Sequence, residues 1–185
     1  MVNADLRSAE VIKRTLGINM PSIAEIGVYK GDMARRLLFH PDLVLTMVDP
    51  WGEVVSDTYK ASGDEYALHT PEEWEAVKEQ ALSGVSWAKD RVRVYQGTSE
   101  GAADYFAEDK FDLVFIDGDH SYEQTKKDIE AWWDRVTDGG YLGGHDYRDD
   151  KNYGVIQAVD EFVVNHQLTL EHGENLTWFV KKWEY

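Results

Sequence analysis

Between Phe111 and Tyr122 an apolar, β-branched run stops abruptly at Asp117, Asp119 and His120. Positions Leu113 to Ile116 are apolar without a break, the pattern of a central strand buried on both faces of a parallel α/β sheet. Ligands bind beyond the carboxyl ends of such strands, where these carboxylates and the imidazole fall. One helix later, the glycine-rich run Gly139 to Gly144 leads into His145, Asp146 and Tyr147. Two neighbouring strand ends would then present Asp117, His145 and Asp146 to one cleft, and three such side chains can hold a divalent metal such as Mg²⁺, Ca²⁺ or Mn²⁺. An unperturbed imidazole titrates at about 6.5, so His120 or His145 could act as a base toward an acceptor hydroxyl. His120 could equally bond a neighbouring backbone group or cap the helix that Ser121 begins. Asp119 reads better as support for the loop than as a ligand.

The first strand end carries a different pattern. Glu25, Gly27, Tyr29 and Gly31 lie where a strand turns into a helix, a setting in which glycines admit a close ligand and the helix N-terminus favours an anion. The spacing is G-x-x-x-G and not G-x-G-x-x-G, which argues against an NAD-dependent dehydrogenase. Asp49 follows at the end of the next strand, about twenty residues on, where a carboxylate can accept hydrogen bonds from both hydroxyls of a ribose. The alternative for Asp49 is a turn cap before Pro50.

These residues need a scaffold, and the chain alternates strand and helix. Residues 4 to 16 place Leu6, Ala9, Ile12 and Leu16 at helical spacing, with Gly17 as the stop, and predict a covering helix. Strands are expected at Ser22 to Ile26, Val44 to Val48, Val92 to Tyr95, Phe111 to Ile116 and from Tyr141 to Gly143. Helices are expected at Asp32 to Phe39, from Thr70-Pro71-Glu72-Glu73 to about Ser83, from Gly97-Thr98-Ser99 to Phe106, from Ser121 to about Val136, and at Tyr153 to His166. Gln167 to Glu171 and Leu176 to Lys181 read as a closing strand pair around the turn His172 to Asn175. The expected fold is a single-domain, doubly wound Rossmann-like α/β sheet of seven strands, mostly parallel, with the last pair antiparallel. Trp51, Trp132, Trp133 and Trp178 read as packing residues. The stretch Gly52 to His69 is polar, aperiodic and too long for an ordinary connection, which marks it either as a lid or as an ordered insertion packed by Tyr59 and Tyr66.

Composition narrows the partners. The chain has 185 residues, 43% apolar, with seven Trp, ten Tyr and no Cys, so disulfides and thiolate ligands are excluded. No apolar run reaches the roughly 18 residues of a membrane span, and the first residues lack the form of a signal peptide. The expectation is a soluble, cytoplasmic protein. Its formal net charge of -16 repels phosphate backbones and anionic lipid, so neither nucleic acid nor membrane is an expected partner.

Taken together, Glu25-Ile-Gly27-Val-Tyr-Lys-Gly31, Val48-Asp49-Pro50-Trp51, Gly97-Thr98-Ser99, Phe115-Ile-Asp117-Gly-Asp119-His120-Ser-Tyr122 and Gly139-Gly140-Tyr-Leu-Gly-Gly-His145-Asp146-Tyr147 resemble the class I S-adenosylmethionine-dependent methyltransferases. More closely, they resemble the small metal-dependent branch akin to catechol and macrocin O-methyltransferases. It implies that Glu25, Gly27, Tyr29 and Gly31 lie along the methionine part of S-adenosylmethionine, that Asp49 holds the ribose, and that Thr98 or Ser99 borders the adenine, with Asp117 also lining the cofactor. It also implies that Asp117, His145 and Asp146 hold the metal and that the acceptor is a small molecule. Tyr29 departs from the middle glycine of many class I enzymes, so the loop must be less tight or the tyrosine must turn away. His145 stands where the metal-dependent relatives carry a carboxylate. The remaining alternatives are a non-catalytic nucleoside or metal-binding protein of this fold and a metal-dependent hydrolase.

Overall fold

The computed structural model describes residues 2–52, 68–149 and 153–183. In chain order the elements are α1 (Val2–Thr15), β1 (Ser22–Ile26), α2 (Asp32–Leu37), β2 (Val44–Asp49), α3 (Pro71–Val85), β3 (Val92–Gln96), α4 (Ser99–Tyr105), β4 (Phe111–Ile116), α5 (Tyr122–Trp133), β5 (Val136–Gly144), α6 (Val155–Asn165), β6 (Leu170–His172) and β7 (Trp178–Lys181). The strands form one seven-stranded sheet in the order β3-β2-β1-β4-β5-β7-β6. β1 to β5 run parallel, and β7 pairs antiparallel with both β5 and β6. The expected doubly wound sheet with an antiparallel edge is therefore the fold.

Alternation along the strands explains why the central runs are apolar throughout. Leu113 and Phe115 of β4 join a core with Val11, Met33, Leu37 and Val77 from the helices on one face. Val114 and Ile116 join a second core on the other face, with Phe106, Ile129, Trp132 and Val159. Each such burial stabilises by about 1.5–3 kcal/mol, so a polar residue at any position from Leu113 to Ile116 would be costly. Trp51, Trp132 and Trp178 are buried, in line with a packing role. Helix starts also follow the local signals. Thr70 and Glu73 form a reciprocal capping box before α3, with Glu73 N–H donating to Thr70 Oγ1 at 3.2 Å and Thr70 N–H to Glu73 Oε2 at 2.8 Å.

Three expectations are corrected. The stripe Leu6, Ala9, Ile12 and Leu16 is not the inner face of α1: Leu6 is 37% and Leu16 68% exposed, while Ser8, Glu10, Val11 and Thr15 are buried. The helix is rotated so that Arg7 meets Asp117 and Arg14 meets Glu171 elsewhere in the fold. α5 ends at Trp133 and does not reach Val136, because Val136 already pairs with Phe111. β5 consequently begins five residues before the expected Tyr141, reading through Gly139 and Gly140. A Cβ at Gly140 would lie 2.7 Å from the Asp112 carbonyl oxygen, and Gly139 has φ 79°, so one glycine admits close strand approach and the other a left-handed backbone within the strand. The expected lid from Gly52 to His69 falls, for residues 53–67, outside the described residues. No helix among those described is long and apolar enough to cross a membrane.

One buried carboxyl makes the fold pH-sensitive. Asp128 of α5 accepts a hydrogen bond from Gln124 Nε2 at 2.9 Å. Burial pushes it up from 3.8 to about 7, against hydrogen bonds from Gln124 and Ser99. The folded state therefore binds this proton more tightly than the unfolded chain, and stability is lost as pH rises through that window. Asp128→Asn is expected to be more stable than the parent by about 1–3 kcal/mol near pH 8 and to match it near pH 4. Urea unfolding at the two pH values checks this, and equal midpoints near pH 8 would show that Asp128 carries no such penalty.

Candidate active site

The strands around the centre of the sheet end flush. Ile26 of β1 is level with Val48 of β2 and Ile116 of β4, and Ile116 is level with Gly144 of β5. The residues just past each of them, Gly27, Asp49, Asp117 and His145, therefore emerge along one edge. The chain order reverses between β1 and β4, which is where a crevice opens in sheets of this kind.

Gly27 N–H donates to Val48 O at 2.9 Å, and Asp117 N–H donates to Ile26 O at 2.7 Å. These bonds press the β1 turn against the β4 turn. Gly27 has φ 87°, and a Cβ there would lie 2.1 Å from the Asp117 carbonyl oxygen. Only glycine fits. Gly31 opens α2 at φ 73°, where a Cβ would lie 3.1 Å from the Ala81 Cα of α3. Tyr29, at φ 51°, turns its ring toward α3, with its hydroxyl 3.2 Å from His69 Nε2 and its edge on Trp74. The unusual tyrosine is thus accommodated by packing away from the β1–β4 junction.

Asp49 braces this turn. Its Oδ2 accepts from the N–H groups of Val28 and Tyr29, both at 2.8 Å, and its Oδ1 from Trp51 N–H at 2.7 Å. Burial raises its carboxyl above the ordinary range, and the three N–H donors oppose that rise. It is a turn cap, and with two acceptor sites per oxygen it retains one vacant position, enough for one ribose hydroxyl without releasing the loop. Glu25 lies in β1 just before the turn, 2% exposed, and its Oε2 has no hydrogen-bond partner among the described residues. Burial pushes this carboxyl well above the ordinary range; Arg7 opposes the rise, while Asp117 and Asp49 add to it. A neutral acid of this kind can both donate and accept.

Beyond β4 and β5 the acidic and imidazole side chains converge. His120 Nε2 is 3.0 Å from Asp146 Oδ2 and 3.8 Å from Asp117 Oδ1. His145 Nδ1 is 2.9 Å from Asp146 Oδ2 and 3.5 Å from Asp117 Oδ1. Arg7 reaches Asp117 Oδ2 from α1. Burial disfavours both imidazolium charges, but the bonds to Asp117 and Asp146 prevail and hold His120 at about 10 and His145 at about 9. Burial likewise raises the two carboxyls, yet Arg7 and the imidazoles keep Asp117, and the imidazoles alone keep Asp146, well below the usual carboxylate range. In this network the two carboxylates favour the charged form of both imidazoles. Asp117, His120 and Asp146 each offer a ligand atom within 4.8 Å of the others. Of the expected set Asp117, His145 and Asp146, the two carboxylates fall in this group with His120, which folds back from the β4 turn, while His145 lies against the same two carboxylates outside it.

The neighbouring residues position this network. His120 stacks on Tyr153 with ring centroids 4.5 Å apart, and Asn175 Nδ2 lies 3.2 Å from His145 Nε2. Asp119 Oδ1 accepts from Ser121 N–H at 2.8 Å and so shapes the loop. At the end of β3, Thr98 Oγ1 accepts from Gly101 N–H at 3.1 Å, and Ser99 Oγ accepts from Trp132 Nε1 at 2.9 Å. Both hydroxyls are engaged in starting and seating α4. Arg7, Tyr153 and Asn175 escaped sequence reasoning, because each reaches the cluster from a distant element and none carries a local spacing signal.

The profile of a methyltransferase-domain family matches residues 24–147, a span that contains the Gly27 turn, Asp49, Asp117, His120, His145 and Asp146. Among curated proteins, an uncharacterised protein of Acanthamoeba polyphaga mimivirus is 37% identical over 57 residues, which is 30% of this chain and 26% of that protein. The chain thus spans about a quarter of the length of that relative. Among solved structures, the calicheamicin methyltransferase CalS11 superposes with a TM-score of 0.70 at 16% identity, over 95% of this chain and 77% of its own. The O-methyltransferase NovP gives 0.66 at 18% identity, over 98% and 80%. An O-methyltransferase from Bacillus cereus in complex with SAH gives 0.60 at 16% identity, over 97% and 80%. At these identities the likeness is one of fold.

Proposed function

The chain belongs to the methyltransferase-domain family matched over residues 24–147, and from that premise we propose that it is an S-adenosylmethionine-dependent methyltransferase acting on an oxygen of a small-molecule acceptor with the help of a divalent cation. The observation that carries this reading is the contact of the Gly27 turn with the Asp117 carbonyl, which sets a cofactor-type turn and the carboxylate–imidazole cluster in one crevice. The residues fit such a cofactor: the unpartnered Glu25 Oε2 awaits a donor, and a Cβ at Gly118 would meet nothing within 4 Å, which leaves space beside the turn. They also fit a divalent cation, since two carboxylates suit Mg²⁺, Ca²⁺ or Mn²⁺ and the imidazole tilts the preference towards Mn²⁺ over Mg²⁺.

S-adenosylmethionine would supply the methyl carbon, and a divalent ion held by Asp117, Asp146 and His120 or His145 would acidify the acceptor hydroxyl. The chain's own contribution is chiefly alignment, since an in-line displacement gains much of its rate from proximity and orientation. Asp49 fixes the turn through Val28 and Tyr29, and Tyr153 and Asn175 hold the two imidazoles in place. The imidazole of the pair that does not hold the ion can receive the acceptor proton, once it has released the one it shares with the carboxylates. The net charge of -16 and the absence of cysteine accord with a cytoplasmic setting and with a small acceptor in preference to nucleic acid or membrane.

Titration calorimetry with S-adenosylhomocysteine tests the reading. Binding is expected, and Asp49→Ala should weaken it by about 1–3 kcal/mol, because charge-assisted hydrogen bonds that shape the turn are lost. Absence of binding to the parent protein would overturn the cofactor assignment, and unchanged affinity in the variant would remove Asp49 from it.

A further inference from the structure

Arg7 and Arg14 lie two turns apart on α1 and so share one face of the helix. Arg14 is an anchor: its guanidinium sits 3.5 Å over the Phe179 ring and bonds Glu10 Oε2 at 2.5 Å and Glu171 Oε2 at 3.2 Å. Arg7 does something else. Held out by the same anchored helix, it crosses to the carboxyl edge of the sheet and pairs with Asp117 Oδ2, 110 positions further along the chain. Only the Oδ1 side of Asp117 then faces His120 and His145.

We propose that Arg7 and a divalent cation compete for Asp117, so that α1 supplies the cluster's own cation until a metal ion displaces it. This rests on the reading of Asp117 as a metal ligand given above. The ion must break a charge-assisted hydrogen bond and approach a fixed positive charge, which lowers its apparent affinity. Arg7 thereby becomes a positioning residue that sets how much metal the site takes up and links that uptake to the docking of α1.

The test is Mn²⁺ affinity measured by electron paramagnetic resonance on the full chain, with Asp117→Asn as the blank for ions held elsewhere on so acidic a surface. Arg7→Gln should bind Mn²⁺ roughly tenfold more tightly than the parent, while Arg7→Lys, which keeps the charge, should stay within about threefold of it. Equal affinity of parent and Arg7→Gln, including no binding by either, would overturn the proposal. Hydrogen exchange on the parent protein guards against a variant that fails to fold. Saturating Mn²⁺ should speed exchange of the α1 amides around Arg7, and exchange unaltered by Mn²⁺ would equally overturn it. S-adenosylhomocysteine binding to the parent in metal-free buffer reports separately on the methyltransferase reading, so either idea can fail without the other.

Discussion

Gly27→Ala is expected to lose S-adenosylhomocysteine binding altogether and to destabilise the fold by about 2–5 kcal/mol, from overpacking of about 1–3 kcal/mol and a left-handed backbone cost of about 1–2 kcal/mol. The added methyl would lie 2.1 Å from the Asp117 carbonyl oxygen and 2.8 Å from the Gly118 Cα, and both are main chain. Neither partner can yield cheaply. Asp117 is tied to Ile26 and Gly27 is tied to Val48 through backbone hydrogen bonds, so relief means breaking the junction of β1 with β4. Two other glycines separate the contributions. Gly17 has φ 88° and open space around it, so Gly17→Ala carries the conformational cost alone. Gly118 also has open space, and its φ is not in the positive range, so Gly118→Ala should be nearly neutral. Chemical denaturation of the three variants checks the ordering, and a Gly27→Ala protein no less stable than Gly17→Ala would contradict the close approach.

Asp117→Ala should abolish Mn²⁺ binding at the cluster and lower methyl transfer roughly 100-fold to 1,000-fold, the scale seen when one preorganised electrostatic group is removed from a site. This carboxylate is the hub of the network: Arg7, His120 and His145 all face it. Its removal leaves His120 and His145 with Asp146 as their principal counter-charge. His120 and His145 should then titrate lower, since contacts with Asp117 are among the causes that hold them at about 10 and about 9. Imidazole proton resonances followed across pH in the metal-free variant would show this directly. Retained Mn²⁺ affinity together with undiminished turnover would end the case for Asp117 as a ligand.

Much of the scaffold was legible because its signals are local. The unbroken run Leu113 to Ile116 reports burial on two faces, which only an interior strand can satisfy. Thr70 and Glu73 announce a helix start through a bond pattern completed within four residues. The residues that follow such strands were legible as site candidates for the same reason. A flush strand edge brings Gly27, Asp49, Asp117 and His145 together whatever the rest of the chain does.

Other features had no local signature. Leu6, Ala9, Ile12 and Leu16 make a sound apolar stripe, yet α1 turns Ser8, Val11 and Thr15 inward. Helical rotation responds to what lies opposite, here Asp117 and Glu171, and a window of α1 contains neither. Val136 pairs with Phe111, and a strand partner 25 positions away lies outside any local window, so the end of α5 at Trp133 is set by the sheet. The sequence by itself thus determined the order of elements, their capping and the strand ends that could carry chemistry, since each follows from periodicity and from backbone groups satisfied nearby. Only the tertiary structure decided that His120 joins the cluster, that Asn175 backs His145 and that Arg7 reaches Asp117, because an ion pair spanning 110 positions is selected by the packing of α1 against the whole sheet.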